Sequence, residues 1–119
     1  MTKIQNAKQY DLEDRTLNFA KRVNKYVNNL PRTTSNIENG RQLARSAGSV
    51  GANYIEANEA LSRKDFAMRV KICRKEAKES KYWLTLTEPK TIDLDEKEFL
   101  VGEASELTKI FGSIVEKSK

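Results

Sequence analysis

Two glutamate pairs at i,i+3 spacing, Glu56 with Glu59 and Glu76 with Glu79, are the side chains of this 119-residue sequence best placed to do chemistry. On facing helices they would approach the carboxylate set of a di-metal site inside a bundle. That site draws on Glu-x-x-His pairs, and the chain contains no histidine. The same absence removes Ser–His and Cys–His nucleophile pairs. The single cysteine, Cys73, excludes an internal disulfide and a paired-Cys zinc site. It falls on the apolar seam of its helix, where a thiol behaves as a small hydrophobe. A different chemistry is offered by "RSAGSVGANY" (45–54), in which Gly48-Ser49-Val50-Gly51 has the G-x-x-G form of a phosphate-cradling loop. A KH domain or a dinucleotide fingerprint requires strands, and none is visible. A Walker loop requires Gly-Lys-Ser/Thr, whereas Ala52 and Asn53 follow Gly51. The expectation is a protein with no catalytic, metal or cofactor site and no small-molecule substrate.

Charge is the remaining chemical signal. The net charge is +5, distributed as +3 over residues 1–61, +5 over 62–81 and −3 over 82–119. One short segment therefore carries the equivalent of the whole excess. Such a concentration marks either an anionic partner or a solvated helix face.

These residues must be positioned by helices, because no segment shows sustained period-two alternation. Spacing residues by about 100° places Leu12, Phe19, Val23, Tyr26, Val27 and Leu30 on one stripe of a first helix, about 11–30, ended by Pro31. A second helix is expected over 35–60, with Ser35 and Glu38 as a capping box, and a third over 63–87, opened by Ser62 and Asp65. A fourth, about 96–117, has an acidic start at Asp95 and Glu98 and the stripe Leu100, Ala104, Leu107, Ile110, Phe111, Ile114 and Val115. Four helices with short connections predict a single all-α domain over 1–119, an antiparallel up-down-up-down four-helix bundle.

The middle helices carry two strips each. On the second, large Leu43, Val50, Tyr54 and Leu61 are set against the small strip Ile37, Ala44, Gly48, Gly51 and Ile55. Glycine inside a helix costs up to about 1 kcal/mol against alanine, so a small strip needs a compensating close approach, within one bundle or between subunits. On the third, Phe66, Val70, Cys73, Ala77 and Leu84 form the core seam, while Met68, Ile72, Trp83 and Leu86 lie apart with Glu76 and Glu79. This set gives the candidate oligomer interface: Ala44, Gly48, Gly51, Ile55, Met68, Ile72, Trp83 and Leu86. The two carboxylates need partners, and Arg41 or Arg45 is expected to supply one. The third face of the third helix gathers Lys64, Lys71, Arg74, Lys75, Lys78 and Lys81 within about 120° of arc. A helix needing only solubility mixes signs to gain i,i+4 pairs, so these six are the candidate nucleic-acid-binding residues. Five of the six are lysines, which favours phosphate contact over base reading.

The runs "RQLARSAGSVGANYIEANEA" (41–60), "SRKDFAMRVKICRKEAKESKYWLTL" (62–86) and "ELTKIFGSIVEK" (106–117) resemble a bacterial four-helix-bundle family. Its first members were noticed as products of intervening sequences in large-subunit ribosomal RNA genes. The resemblance spans about residues 10–117. Its matching positions are Arg45, Ser46, Ala47, Ser49, Ala52, Asn53 and Glu56, then Glu76, Glu79, Tyr82, Trp83 and Leu84. Among them Arg45, Asn53, Glu56, Glu76 and Glu79 are taken as structural polar residues. The resemblance implies an antiparallel bundle assembling as a ring-like homo-oligomer, commonly a pentamer. It also implies kinship with the basic pentameric accessory protein of diversity-generating retroelements, which works with a reverse transcriptase and nucleic acid. No catalysis is expected of the family. With no apolar run resembling a signal peptide or long enough to span a membrane, a cytoplasmic location is expected. The functional expectation is a non-enzymatic oligomer binding RNA or a nucleoprotein partner, or alternatively a protein–protein scaffold with no nucleic-acid role.

Overall fold

The computed structural model describes residues 2–119, with side chains from Leu12 onward. Four α-helices follow one another: α1 Thr2–Asn28, α2 Thr34–Asn58, α3 Arg63–Leu86 and α4 Leu94–Lys117, the last preceded by a short 3-10 turn at Thr91–Asp93. They form an antiparallel up-down-up-down bundle. The α2–α3 seam is the most extensive, α3–α4 and α1–α2 follow, and α1 meets α4 over a short stretch only.

The single stripes of α1 and α4 turn inward as expected. Leu12, Phe19, Val23, Tyr26 and Leu30 are buried, and so are Leu100, Ala104, Leu107, Phe111 and Val115. The α3 seam joins them through Val70, Cys73, Ala77 and Leu84, with Phe66 packed at its edge. Tyr54 of α2 meets Phe111 of α4 with ring centroids 5.7 Å apart, which ties opposite corners of the bundle. Cys73 is fully buried, and burial pushes its thiol up to about 12, so it carries little thiolate at neutral pH.

Several boundaries differ from those read in the sequence. α1 begins at Thr2, well before Asp11, because no proline or glycine interrupts residues 2–10. It ends at Asn28, and Leu30 is buried from the turn that follows. α2 is capped by Thr33, whose hydroxyl accepts from the Asn36 N–H at 3.1 Å, and not by Ser35. Glu38, the other half of the expected box, pairs with Arg41 at 2.6 Å instead. The Ser62 cap stands, its Oγ accepting from the Asp65 N–H at 3.1 Å. α4 opens at Leu94 behind Asp93, one residue before Asp95. Leu61, grouped with the buried large strip of α2, is 98% exposed because the helix has already ended at Asn58.

Two bidentate arginine–glutamate pairs bridge the α1–α4 seam over the buried core. Arg15 grips Glu103 with two hydrogen bonds of 2.7 and 2.9 Å. Arg22 does the same to Glu96 at 2.9 and 2.6 Å, and its guanidinium lies 3.7 Å from the Phe99 ring centre. The hydrogen bond from Arg22 holds the Glu96 carboxyl below the usual carboxylate range.

Candidate nucleic-acid interface

The glycine-rich run of α2 is helical throughout. None of the described glycines has positive φ, so Gly48-Ser49-Val50-Gly51 does not form the turned nest that cradles phosphate. Its small residues separate by direction. A Cβ at Gly51 would meet the Thr16 hydroxyl of α1 at 3.0 Å, and one at Gly40 would meet Val27 at 3.1 Å. These two glycines are where α1 closes on α2. Gly51 therefore leaves the proposed oligomer face, since its missing side chain is filled within the chain. Gly48 is different: it is exposed, with nothing within 4 Å of an added Cβ. It shares the outer side with half-buried Ala44 and with Ile37 and Ile55, which are 47% and 54% exposed.

On α3, Met68 and Leu86 are exposed, Ile72 is half-buried and Trp83 packs its ring against the core edge. Trp83 thus serves the bundle itself. Small polar residues let α2 and α3 approach: the Ser46 and Ser80 hydroxyls meet at 2.9 Å, both fully buried. Of the two arginines expected, Arg45 is the partner: its Nη2 stands 3.7 Å from Glu76 and 3.6 Å from Glu79, while Arg41 pairs with Glu38. Glu76 is 7% exposed, and its Oε1 has no hydrogen-bond donor among the described residues. Asn53 accepts from Arg69 at 3.2 Å and donates to the Ser49 carbonyl at 2.9 Å. Glu56 stands exposed three helical turns, about 16 Å, from Arg45 along α2. The glutamate pairs therefore do not converge, and no group of three or more metal-ligating side chains assembles among the described residues.

The basic residues form a continuous surface. Lys64, Lys71, Lys75, Lys78 and Lys81 are exposed, and Arg74 lies half-buried with its stem along α4 beside Gly112. None of the six is ion-paired among the described residues, whereas Arg15, Arg22, Arg41 and Arg45 all are. The acids of α3 are engaged or turned away: Glu76 and Glu79 face Arg45, and Asp65 sits in the first turn. Tyr82, a family-motif position in the sequence, was given no role on this surface. Its ring is 59% exposed and stands on the same side of α3 as the lysines, four residues beyond Lys78.

The fold and this surface define an all-helical bundle that presents one cationic helix face. The chain belongs to the 23S rRNA-intervening sequence protein family, whose model matches residues 8–113. It is similar to a Bacteroides thetaiotaomicron protein of unknown function from the S23 ribosomal protein family, known from a crystal structure at 1.70 Å resolution. The two share 32% identity and a TM-score of 0.77, over 92% of this chain and 98% of that one. No curated protein matches the chain. No helix among the described residues is long and apolar enough to cross a membrane.

Proposed function

We propose that this protein is a non-enzymatic, cytoplasmic bundle whose α3 face binds RNA, free or within a nucleoprotein, through the phosphate backbone. The observation that carries the reading is the set of six cations on one helix face with no carboxylate partner among the described residues. Cations free of ion pairs are available to displace the counterions condensed on a polyanion, and that release drives association at low salt. Six phosphate contacts give a slope of log K against log salt near −4, at about 0.7 per contact on a single strand. Fluorescence anisotropy of labelled RNA across a salt series measures it. Absence of binding at low salt overturns the proposal and leaves the protein–protein scaffold.

The same proposal includes a homo-oligomer, a pentamer by family resemblance, built on the outward strip of α2 and the exposed apolar side chains of α3. Open space over Gly48 and the donorless Glu76 oxygen support it. Gly48→Leu meets nothing in its own chain and gains helix propensity, up to about 1 kcal/mol. We expect the folded variant to show a lower mass in light scattering. An unchanged mass removes Gly48 from any interface. Gly51→Ala gains the same propensity, but its Cβ would meet the buried Thr16 at 3.0 and 3.3 Å, and overpacking of about 1–3 kcal/mol outweighs the gain, so the thermal midpoint should fall.

A further inference from the structure

We infer that the basic face of α3 takes an unstacked single strand of nucleic acid, with Tyr82 as the platform on which one base stacks. The inference rests on the basic-face reading above and specifies its ligand.

Three observations carry it. Tyr82 lies on the lysine meridian: from Lys71, successive steps of four, three and four residues reach Lys75, Lys78 and Tyr82 along one line of the helix. A polymer held by those lysines therefore passes the ring. The tyrosine also stands outside the core, at 59% exposure against full burial for the neighbouring core position Leu84. Finally, the ring is supported. Trp83, packed on the core edge, meets it edge-on, with centroids 5.0 Å apart and planes inclined at 76°. In a T-shaped contact at most one face of the tyrosine touches the indole, and its 59% exposure leaves ring surface for a ligand.

The two features together discriminate between nucleic-acid forms. In a duplex the base faces are occupied by their neighbours, and a ring projecting from a helix offers them nothing. A single strand splays its bases, and an aromatic beside a cationic track is the recurring device for holding it. Stacking is tolerant of sequence, as is the lysine track. Neither feature distinguishes ribose from deoxyribose, so the shared chemistry is a single strand with accessible bases.

The test uses the whole protein, labelled oligo(rU), oligo(dT) and an RNA duplex of the same length, with anisotropy as readout. Both single strands should bind more tightly than the duplex, and comparing them tells RNA from DNA as the source of the strand. Tyr82→Ala should weaken single-strand binding about tenfold, within the range of about 1–3 kcal/mol per stacked base, and leave the salt slope unchanged. Tyr82→Phe should bind like wild type. Duplex binding as tight as single-strand binding, or wild-type affinity in Tyr82→Ala, overturns the inference. If charge reversal of the lysines still abolishes binding in that event, the basic-face reading survives without it. A wild type that binds no nucleic acid removes both. Loss of oligomeric mass in Tyr82→Ala with unchanged affinity assigns the ring to a subunit contact and also overturns it.

Discussion

Simultaneous Lys71→Glu, Arg74→Glu, Lys75→Glu and Lys78→Glu should reduce RNA affinity by about three orders of magnitude at ~0.1 M salt. The figure follows from counterion release. Four contacts at about 0.7 each contribute a slope near −3, which between ~1 M and ~0.1 M salt amounts to several hundredfold, and the four new carboxylates add repulsion. The residual slope should fall from near −4 to near −1, left by Lys64 and Lys81. The four reversals, two charges each, take the net charge from +5 to −3, so bulk charge must be separated from placement. Reversing Lys21, Arg32, Lys90 and Lys117, exposed residues outside α3, gives the same net charge and should leave most of the affinity. Equal loss in both quadruple variants would mean that the protein is attracted as a whole and that α3 is not the site. None of the four α3 cations is ion-paired among the described residues, so the helix should survive with only small like-charge penalties between i,i+4 neighbours. Circular dichroism checks that survival.

That surface was legible because it is periodic. Six cations recurring on one side of a 3.6-residue helix leave a pattern that needs no tertiary knowledge. The stripes of α1 and α4 were legible for the same reason: large apolar side chains report their own burial. α2 resisted. Glycine carries no side chain to announce a direction, so Gly40, Gly48 and Gly51 look alike in the sequence. Only the positions of Val27 and Thr16 show that two of them face α1 while Gly48 faces outward. Capping failed through competition. Ser35-x-x-Glu38 is the stronger local signal, but Glu38 is drawn to Arg41, while Thr33 is free to cap Asn36. An arginine of α2 was expected to meet one of Glu76 and Glu79, with Arg41 and Arg45 both open; Arg45 stands by the two glutamates, while Arg41 pairs with Glu38. The place of Tyr82 was not legible, because it adjoins Trp83 and adjacency does not show which ring packs on the core edge and which stays largely in solvent.

The residue least visible in the sequence is expected to have the largest effect on stability. Asn36 is 3% exposed at the end of the bundle where the α1–α2 and α3–α4 connections meet. Its amide donates to the Pro31 carbonyl at 3.0 Å and to the Glu88 carbonyl at 2.9 Å, and its Oδ1 accepts from the Glu88 N–H at 2.9 Å. Beside it the Tyr26 hydroxyl meets Thr87 at 2.8 Å, and Lys97 donates to the Thr87 carbonyl at 2.8 Å. One side chain thus satisfies backbone groups of two connections that are remote in sequence. Asn36→Ala removes its three side-chain hydrogen bonds and strands the Glu88 N–H and carbonyl, while the Pro31 carbonyl keeps the Thr33 N–H at 2.9 Å. At about 1 kcal/mol per bond, with a further penalty for the stranded N–H, the loss should be about 3 kcal/mol. For a domain of this size that lowers the thermal midpoint by roughly 10–15 °C. Thr33→Ala removes only the helix cap and should cost about 1 kcal/mol. The Thr33 bond runs to the Asn36 backbone N–H and so persists in Asn36→Ala, but the two residues touch and share the Pro31 carbonyl, so the double variant reads their coupling and not a simple sum. Urea denaturation of both single variants and the double variant measures this. A loss below about 1 kcal/mol for Asn36→Ala would show that water or the neighbouring chain satisfies those groups, and that the two connections are not held together by this amide.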